Sequence, residues 1–512
     1  MNTRKTDIPL LISSKKRNRY LYDRNLRKMI LCHPVLYHIL NICAQGQDPI
    51  KWFEGIKNEE IDIDGYGTIS RSEAQYYLRK YLVLKENGYF RDPLESNRFE
   101  LQLNAEDVRE SLANTRQLTF EITEQCCLKC KYCAYGEFYA DYNPREDKNI
   151  DSDAAIRLVD YLVELWNSPL NHSHEQNIYI GFYGGEPLMN FPFIQEMVSY
   201  IEKLKPFHNR FTFSMTTNGV LLDKHTDFLA GHNFNLLISL DGDKNANRYR
   251  VFQNGKPSYR AVMKNILELK HKHPGYFEKK VNFNAVLHRG NSVQHIYDFF
   301  KENFGKHPGI QPLNTSGIAP EQEKTFWETY SNLEESLFKS EHYPEIEQDM
   351  FIKLPTIQNL SNFIHSKNDF SYDNYNDLFC SPGDQIRFPT GTCKPFSRKV
   401  FVTAAGKIIA CERIGHDYTL GEVNKEGVFI DFQKIAGYYN SLYDKMRRQC
   451  SVCFNADNCN QCIFNLNLKA ENPVCYGYMN MEIFMKHFSS CVDFLESKPR
   501  LYSKILNDIV VD

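Results

Sequence analysis

The sequence has little that would direct it to a membrane or to nucleic acid. None of the apolar runs in its 512 residues approaches the length of ~20 residues that a membrane-spanning helix needs. The N-terminal run Ile8–Ile12 is interrupted by Pro9 and is too short for a signal peptide. The formal net charge of −3 gives no general attraction to nucleic acid or to an anionic membrane surface. We therefore expect a cytoplasmic protein that binds neither nucleic acid nor membrane.

The sequence also lacks internal repeats and low-complexity tracts, and its hydrophobic content of 42% is enough for packed cores. Its length predicts roughly three or four domains. Fifteen cysteines are unusual in a cytoplasmic chain. Because disulfides are disfavoured there, clustered cysteines are first interpreted as thiolate ligands of a metal. The isolated Cys32 and Cys43 are expected to be small buried hydrophobic residues.

From Gln117 onward, apolar runs alternate with amphipathic helical stretches. Strand-helix alternation of this kind predicts right-handed crossovers and a parallel sheet. Six units are too few for an eight-fold barrel but suit a partial barrel, with its chemistry at the carboxyl ends of the strands. The predicted strands are "QLTFEIT", "NIYIGFY", "RFTFSMTT", "FNLLISL", "KVNFNAVL" and a weaker one near Gly309–Asn314, and the helices are Ser152–Trp166, Phe191–Lys203, Leu222–Ala230, Tyr259–His271 and Val293–Phe300.

The first ~100 residues form a separate region. A short strand is predicted in "RNRYLYDR" and a helix near His33–Cys43. Residues Ser70–Tyr89 predict a capped helix that runs into a strand and a turn. Helices that end in a small strand pair indicate a winged-helix-like α+β domain.

The C-terminal third changes in composition. Residues Glu341–Phe379 are polar and are interpreted as an insertion or linker, the cysteine-rich part begins at Cys380, and Met481–Asn507 predicts a closing helix. The expected domains are therefore 1–110, 111–339, 340–379 and 380–512.

Three cysteines directly after the first barrel strand share one spacing, Cys126-x3-Cys130-x2-Cys133. A structural zinc site normally takes four protein ligands, and the adjacent Cys127 cannot easily direct its thiolate to the same metal. Three thiolates can instead hold a 4Fe-4S cluster and leave one iron open to another ligand. An open coordination position is typical of a reactive site.

This CxxxCxxC loop, with the aromatic Tyr132 before its last cysteine, resembles the signature of radical S-adenosylmethionine (SAM) enzymes. The resemblance implies a partial (β/α)6 barrel in which the open iron binds SAM. An electron from the cluster then cleaves SAM, and the 5'-deoxyadenosyl radical removes a hydrogen atom from the substrate. Cys127 stands where the family usually has a small polar residue, and it is interpreted as a bystander.

Short segments at further strand ends agree with the resemblance, although each alone could be an ordinary turn. In "YGGEP", the resemblance implies that Gly184, Gly185 and Glu186 bind the SAM amino group. Two glycines allow close approach of a ligand to the backbone, and a carboxylate can accept from an amine. In "TTNG", Asn218 is a further candidate contact.

Two later segments complete the implied SAM site. By resemblance, Ser239 of "SLDG" contacts the SAM carboxylate, with Arg250 as a second contact and Arg248 and Arg260 as competitors. In "NAVLHRGN", Asn284 is the polar candidate beside the ribose and adenine.

The cysteines after residue 380 form a second group. Two zinc knuckles are one interpretation, with Cys450, Cys453, Cys459 and Cys462 around one ion. The pattern also resembles the SPASM extension of radical SAM enzymes that modify peptides, although two residues rather than three separate Cys459 from Cys462. That resemblance implies two auxiliary 4Fe-4S clusters, one held by Cys380, Cys393, Cys411 and Cys462 and the other by Cys450, Cys453, Cys459 and Cys475, with Cys491 as a rival or spare.

These features predict a peptide maturase with three 4Fe-4S clusters, SAM, and an external one-electron reductant. The expected substrate is a ribosomally made precursor, whose leader the N-terminal domain would bind and in which an oxidative thioether or carbon–carbon crosslink would form. Residues Met1–Lys28 hold nine Lys/Arg and two Asp, so an acidic leader is expected. The alternatives are a sulfatase-maturing enzyme that makes formylglycine and a non-catalytic leader-binding or regulatory homologue.

Overall fold

A computed structural model describes residues 10–23, 28–63, 66–90, 99–140, 145–172, 176–204, 209–315, 317–366, 388–468 and 470–508. The chain forms two compact units. The first contains Met1–Gln102, Ile352–Thr392 and Leu442–Asp512, and the second contains Leu103–Phe351 and Cys393–Ser441. The cysteine-rich region, which the sequence predicts as one domain, is thus divided between the units. Cys380 lies outside the described residues.

The N-terminal region combines a small sheet, a hairpin and three helices. Ser70 caps the last helix by accepting from the Glu73 amide, and the helix runs unbroken to Glu86, so the strand predicted in its second half is wrong. This stretch has no Gly or Pro before Gly88 and is rich in helix-forming residues. The elements are β1 (Leu10–Ser13), β2 (Arg19–Asp23), β3 (Lys28–Leu31), α1 (Pro34–Ala44), α2 (Pro49–Glu54), β4 (Glu60–Ile63), β5 (Gly67–Ser70) and α3 (Arg71–Glu86), with β1-β2-β3 as one sheet and β4-β5 as the hairpin.

The second unit is built on one long sheet, and its six parallel strands confirm the predicted radical SAM type of α/β fold. These strands are β6 (Gln117–Thr123), β8 (Gln176–Gly184), β9 (Asn209–Thr217), β10 (Asn235–Ser239), β12 (Val281–Leu287) and β13 (Gly309–Pro312). The helices around them are α4 (Ala105–Ala113), α5 (Ser152–Trp166), α6 (Phe191–Ile201), α7 (Thr226–Gly231), α8 (Tyr259–Lys272), α9 (Pro274–Lys280), α10 (Val293–Phe304), α11 (Glu323–Thr329), α12 (Leu333–Phe338) and α13 (Tyr343–Asp349).

Two strand pairings extend this arrangement. The short β7 (Leu128–Cys130) pairs antiparallel with β11 (Arg250–Phe252). The other extension lengthens the main sheet to ten strands in the order β13-β12-β10-β9-β8-β6-β14-β15-β16-β17, where β14 runs parallel to β6 and the last strands are antiparallel. The added strands are β14 (Val400–Val402), β15 (Lys407–Ile409), β16 (Gly421–Val423) and β17 (Val428–Phe429).

The segment interpreted as an insertion or linker contains helical structure, with α13 followed by α14 (Pro355–Ser366). The single closing helix predicted near the C-terminus is instead two, α16 (Met481–Ser497) and α17 (Arg500–Asp508), because Pro499 cannot continue the hydrogen-bond ladder. Helix α15 spans Phe432–Ser451. No helix in the described part of the chain is long and apolar enough to cross a membrane.

Candidate functional site

The CxxxCxxC loop leaves the sheet at the carboxyl end of β6 and is fixed by main-chain pairing. Cys130 lies in β7 directly opposite Arg250 in β11. The side-chain amide of Gln253 donates to the carbonyl oxygens of Cys126 at 2.9 Å and Leu128 at 3.1 Å. These contacts hold the loop against the segment that follows β10.

The three thiols of the loop are close enough to act on one another electrostatically. Burial raises the pKa of Cys130 to about 12, and negative charge on Cys133 and Cys126 raises it further. All three side chains are only partly exposed. Such mutual repulsion of thiolates is relieved when they bind a cationic metal centre. The residues therefore fit a cluster held by three cysteines.

Cys127 contacts this group without sharing its spacing. The pKa of the Cys126 thiol is lowered to about 6, first by a hydrogen bond from Cys127. The same hydrogen bond, together with burial, raises the pKa of Cys127, which keeps that thiol protonated. The side-chain nitrogen of Asn218 lies 3.3 Å from the Cys127 sulfur and 3.7 Å from that of Cys126. Asn218 is thus placed beside the cysteine loop, and its contact with SAM stays a prediction.

The two glycines of "YGGEP" lie against the backbone that leads into the cysteine loop. Gly184 has a φ of +139°, and a Cβ there would stand 2.3 Å from the carbonyl oxygen of Thr123. A Cβ on Gly185 would stand 2.0 Å from the carbonyl oxygen of Gln125. The amide of Gly185 donates to the Thr123 oxygen at 2.8 Å. Only glycine permits this approach between the two strand ends.

We expect Gly185→Ala to lower SAM cleavage at least ~100-fold, because displacing the loop by about 1 Å has an effect of that size. The measurement is 5'-deoxyadenosine formation by the reconstituted enzyme. Gly275→Ala is the matched control, since nothing lies within 4 Å of the added Cβ. Equal rates in the two variants would contradict the need for this close contact.

Glu186 has a structural role in addition to the one predicted from sequence. It is fully buried. Its carboxylate accepts from the Asn218 amide at 2.7 Å, the Thr217 hydroxyl at 2.7 Å and the Leu188 amide at 3.1 Å. Burial raises the pKa of this carboxyl to about 7. Glu186 therefore links the ends of β8 and β9, and its contact with the SAM amine stays a prediction.

Ser239 and Asn284 are brought together on neighbouring strands. They are paired in the register of β10 and β12, so their side chains point to the same face of the sheet. The Oδ1 atom of Asn284 is buried and has no hydrogen-bond partner among the described residues. A buried acceptor without a partner is costly. The pair thus fits a polar ligand at this strand end.

The three candidate arginines differ in their burial and in their contacts. Arg250 is buried, and its guanidinium lies 3.0 Å from the carboxylate of Asp241. Arg248 and Arg260 are both exposed. Of the three, only Arg250 lies opposite Cys130, and its contact with SAM stays a prediction.

Sequence reasoning missed Asp241, although it is the third letter of "SLDG". It is fully buried and accepts from Arg250, from the Val286 amide at 2.9 Å and from the Tyr132 hydroxyl. Arg250 also lies over the Tyr132 ring, with Cζ 5.4 Å from the ring centroid. Asp241 thereby ties the cysteine loop to β10, β11 and β12. Its only sequence signal was a charged residue immediately after a buried strand.

Asp241→Asn should lower the free energy of unfolding by about 3 kcal/mol, because it leaves a buried guanidinium uncompensated. It should also weaken SAM binding about tenfold, since Arg250 loses its fixed position. Chemical denaturation and calorimetric titration of the reconstituted protein check the two effects. Tyr132→Phe, which keeps the ring and the arginine pair, should have a smaller effect on both. Unchanged SAM affinity in Asp241→Asn would contradict the positioning role.

A cavity of about 310 Å³ lies within the partial barrel. Lys399 and Glu412 form an ion pair at 2.8 Å in its wall. Tyr135 and Tyr139 are held by hydrogen bonds of 3.0 Å to the Glu121 carboxylate and the Asn314 carbonyl oxygen, respectively. The cavity is lined by Gln117, Thr119, Gly181, Phe182, Tyr183, Ser214, Met215, Thr216, Asn235, Leu236, Leu237, Asn282, Lys399 and Glu412.

In the first unit, four cysteines from the second cysteine group line one small cavity: Cys450, Cys453, Cys459 and Cys475. Cys462 is not part of the lining, which disfavours the four-thiolate zinc site that would include it. Burial raises the pKa of Cys450 to about 12 and also raises the pKa of Cys459 and of Cys475. Backbone amides that donate hydrogen bonds to the sulfurs lower these pKa values in turn. The amide of Thr390 donates to Cys450, those of Gly391 and Gln461 to Cys459, and those of Gly477 and Tyr478 to Cys475.

Amide hydrogen bonds to sulfur are what iron–sulfur ligands receive, and they stabilise the thiolate form. Within the described residues, no three or more His, Cys, Asp or Glu side chains are placed to hold a single metal ion. A 4Fe-4S cluster takes each thiolate on a different iron, so its ligands surround a volume rather than converge on one point. The four-cysteine cavity fits that wider group.

The other predicted auxiliary set stays a prediction. Cys380 lies outside the described residues, Cys393 and Cys411 belong to the second unit, and Cys462 belongs to the first. Outside these groups, Cys32 is buried in the N-terminal core and Cys43 packs against it, as expected for hydrophobic residues.

Residues 120–302 match the family model of the radical SAM superfamily. An uncharacterized protein, MJ0907 of Methanocaldococcus jannaschii, is 31% identical over 30% of this chain and 49% of its own length. The radical SAM cyclopropyl synthase TigE of Paramaledivibacter caminithermalis is 23% identical over 58% of this chain and 61% of its own length. The chain thus spans about half to three-fifths of these curated relatives.

A solved structure shares the fold over most of the chain. It is anSMEcpe with bound AdoMet and the Cp18Cys peptide, which aligns with a TM-score of 0.50 and 18% identity over 77% of this chain and 99% of that chain. At this identity the likeness concerns the fold.

Proposed function

We propose that this chain, whose residues 120–302 match the family model of the radical SAM superfamily, is an enzyme that oxidatively modifies a ribosomally made precursor peptide. The observation that carries the proposal is the pair of cysteine sites: a loop of three thiols beside the strand ends, and a separate cavity lined by four. A relative is named as a cyclopropyl synthase, and a structural neighbour holds a bound peptide, which supports a peptide substrate.

Each part of the chain has a defined task in this proposal. When bound, the cluster and SAM supply reductive cleavage and hydrogen-atom abstraction. Cys126, Cys130 and Cys133 hold that cluster, while the Gly184–Gly185 edge and the Ser239/Asn284 pair hold SAM. The cavity of the barrel, about 310 Å³, receives the reacting part of the peptide.

The auxiliary cysteines would hold two fully ligated 4Fe-4S clusters, which makes three in all. They cannot bind substrate through iron, but they can take up the electron that is released when the substrate radical is oxidised to a crosslinked product. A flavodoxin- or ferredoxin-type protein would supply the first electron.

The N-terminal region offers a surface for the leader of the precursor. Strand β3 is an edge of its sheet, with Leu31 65% exposed and Met29 36% exposed. An extended peptide can pair with such an edge, gaining affinity from backbone hydrogen bonds and specificity from alternate side chains. The basic residues before Lys28 favour an acidic leader.

The leader site is tested by measuring the binding of a precursor peptide encoded beside this gene. Leu31→Asp should weaken its binding about tenfold, since the charge repels an acidic partner from the edge strand. SAM cleavage without peptide should be unchanged. Val83→Asp, at a similarly exposed apolar position on α3, is the matched control and should bind as the wild type does. Equal effects of both variants would exclude β3 as the leader site.

The alternative is a sulfatase-maturing enzyme, which would act on a cysteine or serine of a sulfatase rather than on a precursor peptide. About three-quarters of this chain aligns with nearly the whole of anSMEcpe. The remaining quarter leaves room for a recognition domain, which favours the peptide maturase. Conversion of a sulfatase cysteine or serine to formylglycine by this enzyme, with no modification of the neighbouring peptide, would overturn the proposal.

A further inference from the structure

Cys126 and Cys127 are neighbours in the chain, and both sulfurs face the same amide group. The side-chain nitrogen of Asn218 lies 3.3 Å from the Cys127 sulfur and 3.7 Å from the Cys126 sulfur. Successive side chains of an extended chain point in opposite directions, but the backbone bends at Cys127 and brings the two together. The Cys127 thiol also donates a hydrogen bond to the Cys126 sulfur. The two sulfurs are therefore in direct contact.

The surroundings of the Cys126 sulfur suit a thiol that reacts with oxidants. In addition to its contacts with Asn218 and Cys127, this sulfur accepts from the Leu128 amide at 3.4 Å. Donors that point at a sulfur stabilise the thiolate, which is the form that peroxides oxidise. Both cysteine side chains are partly exposed, so a small oxidant can reach them. A reactive thiol thus lies beside a second thiol that can close a disulfide with it.

Cys130 is less well placed to react with an oxidised Cys126. Its main chain is fixed in the pairing of β7 with β11, and Cys126 affects it through charge rather than through a hydrogen bond. Within the described part of the chain, Cys127 is the one thiol that hydrogen-bonds to Cys126. A disulfide between the neighbours therefore needs less movement of the loop than one that reaches β7.

We propose that Cys126 and Cys127 form a reversible disulfide whenever the loop holds no iron, both before a cluster is assembled and after one is lost to oxidation. A peroxide first oxidises the Cys126 thiolate to a sulfenic acid and is itself reduced to water. The Cys127 thiol then attacks that sulfur, the S–S bond forms, and a second water leaves. Adjacent Cα atoms are ~3.8 Å apart, closer than a disulfide prefers, so two molecules of a small thiol readily reduce the bond again.

The disulfide protects the thiol that the proposed function assigns to the reactive cluster. Further oxidation of a sulfenic acid gives a sulfinic acid, which small thiols do not reverse and which is no longer a thiolate ligand. Closing the disulfide stops Cys126 at a stage from which reduction recovers it. This protective role rests on the proposed function, since it requires that Cys126 hold iron, whereas the formation of the disulfide does not.

The test exposes the reconstituted full chain to hydrogen peroxide until its iron is released, then alkylates free thiols and digests the chain with trypsin. Cleavage after Arg116 and Lys129 gives the peptide Gln117–Lys129, which contains Cys126 and Cys127 and no other cysteine. In the wild type, mass spectrometry should find this peptide without alkylation and lighter than its reduced form by the mass of two hydrogen atoms. Treatment with dithiothreitol before alkylation should restore both thiols.

A variant without the second thiol gives an independent measurement. In Cys127→Ala, sulfinic acid at Cys126 should be at least about fivefold more abundant than in the wild type, measured on the same peptide. Cys491→Ala, which changes a cysteine on α16, is the control and should match the wild type.

Three results would overturn the inference: two alkylated thiols in the wild-type peptide after peroxide, a disulfide from Cys126 to Cys130 or Cys133, or equal sulfinic acid in the wild type and Cys127→Ala. If the wild type binds iron and cleaves SAM but forms no such disulfide, this inference alone is wrong. If the disulfide forms in a chain that binds no iron, the proposed function and the protective role fail, and the disulfide stands.

Discussion

Replacing Cys126, Cys130 and Cys133 together by Ala should abolish 5'-deoxyadenosine formation and remove about four of roughly twelve bound irons. The physical reason is that, in the proposed function, three thiolates from one loop are the protein ligands of the reactive cluster. The four-cysteine cavity belongs to the other compact unit, so its iron should remain. Iron analysis, the visible spectrum and product assay on the same anaerobic sample measure both effects.

The matched control lies in the same loop. Cys127→Ala should keep the full iron content, because Cys127 lies outside the Cys126-x3-Cys130-x2-Cys133 spacing. If Cys127→Ala lost as much iron as the triple variant, the ligand assignment would need Cys127. Retention of SAM cleavage in the triple variant would reject the radical SAM interpretation of this loop.

Replacing Cys453 and Cys475 by Ala should remove about four irons, keep SAM cleavage and reduce formation of the modified peptide at least ~100-fold. Both residues line the four-cysteine cavity. In the proposed function this cluster takes up the electron from the substrate radical, whereas the cleavage of SAM needs only the first site. Peptide turnover is followed by mass spectrometry, and uncoupled cleavage by 5'-deoxyadenosine.

Two further variants make this result specific. Cys491→Ala should leave the iron content unchanged, since Cys491 lies on α16 and does not line the cavity. Cys462→Ala should affect a different cluster from Cys453 and Cys475. Stoichiometric zinc in the purified protein, lost together with either Cys462 or Cys453, would instead support the zinc-knuckle interpretation.

The sequence predicted those parts of the fold that depend on local periodicity. The strand "QLTFEIT" is β6, and the helix expected at Ser152–Trp166 is found with those bounds. The extension of the sheet by β14 could not be predicted, because Val400 pairs with Leu118 across more than half of the chain. Pairing between such distant segments leaves no signal in either segment alone. For the same reason, the β7–β11 pair that sets Arg250 opposite Cys130 was missed.

The candidate site shows the same contrast between contiguous motifs and residues that only the fold brings together. The cysteine spacing and the paired glycines were visible because both motifs are contiguous. Asp241 was not, since its role follows from what surrounds it: it collects three donors from separate segments. A buried charge can be recognised only once the fold shows that it is buried.

Anaerobic reconstitution of the full chain with iron and sulfide, followed by addition of SAM and dithionite, tests the central claim most directly. The account predicts about twelve irons per chain and the formation of 5'-deoxyadenosine. A protein that binds zinc or no metal and produces no 5'-deoxyadenosine would contradict it.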